Sequence, residues 1–103
     1  MTIRYRGITR ERLAQMQSRR KVLVADVRNP EYFSSGTIQG ALNLYPTRKF
    51  VNELHRVTSK HQPIVIVGQN KDGSDEDVAA SARYAEQLGF ENVYVSDFVT
   101  LRD

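Results

Sequence analysis

Apolar residues along the chain fall alternately into short unbroken runs and into helically spaced sets, and that alternation predicts the architecture. Ile64, Val65, Ile66 and Val67 follow Pro63 as a β-branched run that is apolar on both faces, as expected for the centre of a parallel sheet. Residues 22–25 form a second continuous apolar strand, residues 41–44 and 92–95 two more, and residues 3–5 a short edge strand. Thr9 is placed to cap a helix over residues 10–18, with Ile8 stapling onto Leu13, and Leu13 and Met16 turned inward. Asn29 and Pro30 make a turn, and Pro30 opens a short helical segment carrying Tyr32 and Phe33 that ends over Ser34, Ser35 and Gly36. Between residues 47 and 57, Phe50, Val51, Leu54 and Val57 recur at i, i+1, i+4 and i+7 along one helical face. A polar loop over residues 68–76 leads into a helix reaching about residue 88, with Val78, Ala82, Ala85 and Leu88 inward and Gly89 as its C-terminal cap.

Strand and helix alternate throughout, which predicts an α/β fold: an open, mostly parallel sheet of about five strands, helices on both faces and right-handed crossovers. A site in such a sheet lies outside the carboxyl ends of the strands. The length of 103 residues, with 40% hydrophobic and 26% charged residues, predicts one domain over residues 1–103. The chain contains no cysteine, which excludes disulfides, thiolate metal sites and cysteine-dependent catalysis. No apolar run approaches the length of a membrane span, and the arginine-bearing first ten residues precede no apolar segment of the signal-peptide kind, so the expectation is a soluble, cytoplasmic or otherwise intracellular protein. The net charge of +3 hides an asymmetry: residues 1–60 hold twelve Lys/Arg against four Asp/Glu, and residues 61–103 three against eight.

Three segments carry a family resemblance. Asp26, Val27 and Arg28 at the end of an apolar strand, Glu31 and Tyr32 after them, and Gly36 through Gly40 leading into Ala41, Leu42 and Asn43 resemble the first box of rhodanese homology domains. Pro63 and the run after it resemble the strand that leads into that family's active-site loop, and Leu88 to Val95 the family's closing helix and strand. The likeness covers roughly residues 8–95. It implies a single rhodanese-like domain in which Asp26, Arg28, Glu31, Gly36 and Gly40 are structural residues of the family motif. It also implies that Gly68 stands where active members place a nucleophilic cysteine. Thr37 and Gln39 occupy positions that are often His and Pro in the family, and the stretch to Gly89 is about four residues longer than usual, with the insertion in residues 69–77. Without the cysteine, neither sulfur transfer nor the phosphatase chemistry this fold also supports has its nucleophile. The expectation is therefore no enzymatic activity and no cofactor.

The loop itself, with Gly68, Gln69, Asp72, Gly73, Ser74, Asp75, Glu76 and Asp77, carries four carboxylates against Lys71 alone and would repel an anionic sulfur or phosphate. Gly68, Gly73 and Ser74 come near a phosphate-binding loop, but its lysine is missing and Asp75 replaces its hydroxyl residue. Calcium could use the acids, although they lack EF-hand spacing. The preferred reading is plainer: Ser74 caps the helix, Asp75, Glu76 and Asp77 occupy its first turn, Asp72 and Gly73 make a turn, and no metal is bound. Ser74 has no histidine near it in sequence, and His55 and His61 read as solvated. Asp26 and Arg28 read as a pair that closes a loop, and Glu31 likewise.

Function then falls to surfaces. Non-catalytic relatives resembling this domain serve as adaptor or regulatory modules, centrosomal and ciliary proteins among them, so a protein partner is expected at the loop. Arg12 and Arg19, seven apart on one helical side, and Arg20 and Lys21 form a basic patch suited to an acidic partner such as a tubulin tail or a phosphoprotein. Nucleic acid ranks low because no aromatic platform accompanies the basic run. Self-association of the basic half with the acidic half is a further expectation, and a small ligand or metal at the former active-site loop is the alternative.

Overall fold

The computed structural model describes residues 6–19, 22–69 and 75–102. The elements run β1 (Arg6–Gly7), α1 (Arg10–Arg19), β2 (Leu23–Asp26), α2 (Pro30–Ser35), β3 (Leu42–Asn43), α3 (Thr47–Leu54), β4 (Ile64–Gly68), α4 (Glu76–Gln87), β5 (Val93–Asp97) and α5 (Phe98–Leu101). All five strands are parallel, in the order β1-β5-β4-β2-β3. The expected α/β sheet is therefore present, with the β-branched run at its centre.

Pleating divides the core in two. Leu23, Ala25, Ile64, Ile66, Val93 and Val95 face a layer built by Phe50 and Leu54 of α3 and Val78, Ala82 and Ala85 of α4. Val24, Val65 and Val67 face the opposite way, against Leu13 and Met16 of α1 and Leu101 of α5, with Ile8 beside them. Period-two alternation on the strands and period-3.6 spacing on the helices thus place helices on both faces. Thr9 caps α1 as its sequence predicts, its hydroxyl accepting from the Arg12 N–H at 3.1 Å. Asn29 does the same for α2, accepting from Glu31 N–H at 2.9 Å, with Pro30 in the first turn where its missing N–H costs nothing.

Several boundaries differ from expectation. The edge strand is Arg6–Gly7, residues 3–5 lying outside the described ones. β2 begins one residue late and takes in Asp26, and β3 shrinks to two residues because only Ala25 and Asp26 pair with it. β5 runs on to Asp97, which lies opposite Gly68. α3 stops at Leu54, and Val57 reaches the core from a following turn in which its N–H bonds to Leu54 carbonyl at 3.1 Å. At α4 the cap is Asp75, not Ser74: Asp75 has extended backbone and its Oδ1 accepts from Asp77 N–H at 2.9 Å, while Ser74 lies outside the described residues. No helix among the described residues is long and apolar enough to cross a membrane.

Candidate functional site

Strand order reverses between β4 and β2, the chain stepping from β2 to β3 on one side and from β4 to β5 on the other. α4 leaves β4 on one face and α1 enters β2 on the other, so the carboxyl ends of these two neighbours flank the crevice where open α/β sheets place a site. Asp26 and Gly68 end the two strands, and Asp97 ends β5 beside them.

The floor of this end is a buried ion pair. Arg28 and Asp26 have side chains only 3% and 0% exposed, and they are joined at 2.7 Å. The Asp26 carboxylate accepts from Arg28 Nε at 2.9 Å, Arg28 Nη2 at 2.7 Å, the Arg28 backbone N–H at 3.1 Å and the Thr37 hydroxyl at 2.7 Å. The guanidinium also donates to Gly36 carbonyl at 2.7 Å and to Gln69 Oε1 at 3.4 Å, and lies 4.4 Å from the centre of the Phe98 ring. Such satisfaction on all sides is what makes a buried charge pair tolerable. It also spends the donors of Arg28 on the chain itself, so Arg28 locks the loop over residues 26–37 to strand and helix. This is the loop-closing pair that the sequence predicts for Asp26 and Arg28. Glu31 differs, since it is exposed and takes part through its backbone, its N–H capped by Asn29 and its carbonyl accepting from the Ser35 hydroxyl at 3.0 Å. Gly36 and Gly40 take positive φ, 154° and 84°, conformations that glycine alone adopts freely.

Above the pair stands the end of β4. A Cβ built on Gly68 would lie inside the van der Waals envelope of Val78 Cγ2, from the first turn of α4, and 3.6 Å from Asp75 Oδ2. The Asp75 carboxylate spans this junction, with Oδ1 on Asp77 N–H and Oδ2 accepting from Gln69 N–H at 3.3 Å. A helix N-terminus normally attracts an anion, and here the chain supplies its own. Asp77 lies beside it. Its carboxyl is held above its ordinary range first by burial and then by the neighbouring charges of Asp75 and Glu76. Asp72, Gly73 and Ser74 lie outside the described residues, and no group of three metal-ligating side chains converges among the described ones. His61 pairs with Glu91 at 2.8 Å, three residues before β4 starts, at the opposite end of the sheet from the loop.

The match to the rhodanese-like domain runs over residues 9–97. The chain belongs to that family. Two Escherichia coli proteins named YibN and described as uncharacterized, from strains K12 and O6:H1, are 27% identical over 96 residues, covering 92% of this chain and 64% of theirs. The chain thus spans somewhat under two-thirds of the length of these curated relatives. Among solved structures, an E. coli rhodanese with anions superposes with a TM-score of 0.64 at 17% identity, covering 78% of this chain and 91% of that one. The solution structure of a rhodanese-like domain from Anabaena sp. gives 0.67 at 18% identity, covering 99% and 74%. At these identities the likeness is one of fold.

Within the rhodanese frame the structure gathers Asp26, Arg28, Gly36, Gly68, Gln69, Asp75 and Asp77 at one end of the sheet. Arg12 and Arg19 lie elsewhere, in a cleft with the starts of the strands, and Arg20 and Lys21 lie outside the described residues. Thr37 and Phe98 are partners of the central pair that sequence reasoning missed. Thr37 stood out only as a departure from the family box, and Phe98 follows the stretch that carries the resemblance. Val78 was legible as an inward helix residue, but its position over Gly68 was not.

Proposed function

We propose that this rhodanese-like domain is a non-catalytic module that binds another protein, with the acidic loop over residues 69–77 as the contact surface. The observation that carries this reading is the junction at Gly68. The chain has no cysteine, a side chain at Gly68 has no room beneath Val78, and the amides that open the loop are held by the Asp75 carboxylate. Loss of the nucleophile alone would leave an empty pocket suited to a small anion. Here Val78 fills the space beside Gly68 and the Asp75 carboxylate takes the Gln69 and Asp77 amides, which leaves the charge of the loop for a larger partner.

The test compares two baits in quantitative affinity capture from the native cell: the wild-type domain and a variant with Asp72, Asp75, Glu76 and Asp77 changed to Ser. Serine keeps a side-chain oxygen at the cap of α4, so the helix survives while the charge is lost. A protein retained by wild type and released by the variant supports the module and its surface. Capture by neither bait overturns it. Binding of Ca²⁺, phosphate or thiosulfate by the wild-type domain in isothermal titration overturns it in favour of a ligand-binding protein.

A further inference from the structure

At the other end of the sheet, where the strands begin, α1 and the β1–β5 edge enclose a cleft of about 350 Å³ lined by Arg6, Arg12, Arg19, Met16, Asn92 and Tyr94 among others, and by no acidic residue among the described ones. Arg12, Met16 and Arg19 follow one another at i, i+4 and i+7 on α1. Met16 turns into the core, while the two arginines stay exposed at the rim. Neither guanidinium makes a hydrogen bond or ion pair with any described residue. Arg6 approaches from the sheet edge, its guanidinium 5.0 Å from the centre of the Tyr94 ring and 3.3 Å from Asn92 Oδ1, so its position is fixed.

We propose that this cleft is a docking site for an acidic peptide segment of a partner protein. Three like charges with no counter-ion among the described residues repel one another, and an anion relieves that repulsion as well as pairing with each. Spacing selects the occupant. Seven residues of helix separate Arg12 from Arg19 by about 10 Å, too far for one small anion to bridge. Carboxylates three residues apart on a peptide in the polyproline II conformation lie on one side of it, about 9 Å apart. A second copy of this chain would offer Glu76 alone from the start of α4, because the Asp75 carboxylate is engaged on both oxygens and Asp77 is half-buried. Nucleic acid lacks a stacking surface, since Arg6 covers Tyr94. The proposal stands apart from the loop at the opposite end and does not depend on it.

The experiment is fluorescence anisotropy with a labelled peptide of three Glu-Gly-Ser repeats, beside its Gln-Gly-Ser counterpart and a short oligo-dT. Saturable binding of the glutamate peptide alone is expected. It should weaken at least tenfold in Arg12→Glu/Arg19→Glu and fall away between ~0.1 M and ~1 M salt, where the Debye length shrinks from ~10 to ~3 Å. Arg83→Glu, on the exposed side of α4, should leave it unchanged. Equal weakening by Arg83→Glu, indifference to Arg12→Glu/Arg19→Glu in a protein that still unfolds like wild type, or tighter binding of oligo-dT overturns the proposal. Sedimentation of the protein alone as a dimer at low salt, lost in Arg12→Glu/Arg19→Glu, overturns it in favour of self-association.

Discussion

Replacing Gly68 by Ala tests the closed junction through the sign of its effect. Gly68 does not have positive φ, so alanine fits the backbone there, and a Gly→Ala change at a compatible site ordinarily stabilises by ~0.4–1 kcal/mol by restricting the unfolded chain. The new methyl would, however, meet Val78 Cγ2, on a β-branched residue only 1% exposed at the start of α4, which has little rotamer freedom to yield. Overpacking of that kind costs ~1–3 kcal/mol, so the net expectation is a loss of about 1–2 kcal/mol. In a domain of this size each kcal/mol lowers the thermal midpoint by roughly 4–8 °C, well within reach of circular dichroism. In a Val78→Ala background the methyl has room and the same substitution should become stabilising, giving a favourable coupling of ~1–3 kcal/mol between the two sites. A higher midpoint for Gly68→Ala in the wild-type background, or the same change in both backgrounds, refutes the steric argument and with it the closed junction at Gly68.

Asp26→Asn leaves the Arg28 guanidinium buried without its counter-charge and should cost ~3–5 kcal/mol, read from denaturant unfolding; a loss below 1 kcal/mol would contradict the burial described. Ser81 is fully buried in α4 and its hydroxyl finds no hydrogen-bond partner, so Ser81→Ala should raise stability by ~1 kcal/mol rather than lower it. Because the Asp77 carboxyl is raised, the folded chain holds that proton more tightly than the unfolded chain, and stability falls as pH climbs through its titration and stays lower at neutrality. Asp77→Asn should therefore raise the midpoint at pH 7, with the gain gone at about pH 2–3 where both states are protonated; a gain that persists there points to another cause.

What could be read from the sequence was local. A β-branched run announces β4, and Thr9 and Asn29 announce the starts of α1 and α2, because each of these signals acts within a few residues. The end of α3 was not legible, since Val57 continues the apolar face of the helix from a turn, and spacing cannot distinguish the two. The reach of β5 to Asp97 depends on Gly68 opposite it, a pairing between distant segments. The candidate site divides in the same way. Asp26 and Arg28 are two residues apart and could be read as a pair, whereas Thr37, Gly36 and Phe98 meet them only once the sheet has formed. Arg12 and Arg19 share a helical side by spacing, but Arg6 and Tyr94 join them through the parallel register of β1 on β5.

That register bears on how the chain is made. Tyr94 and Val95 leave the ribosome several seconds after Arg6 and Gly7 at ~5–20 residues per second, and β5 must then insert between β1 and β4. Until it does, one side of β4 offers five unpaired residues, apolar on both faces, to any other nascent strand. A chain interrupted before Val93 would thus hold a nearly finished core with its stickiest edge bare, and such fragments should be found in aggregates rather than in solution.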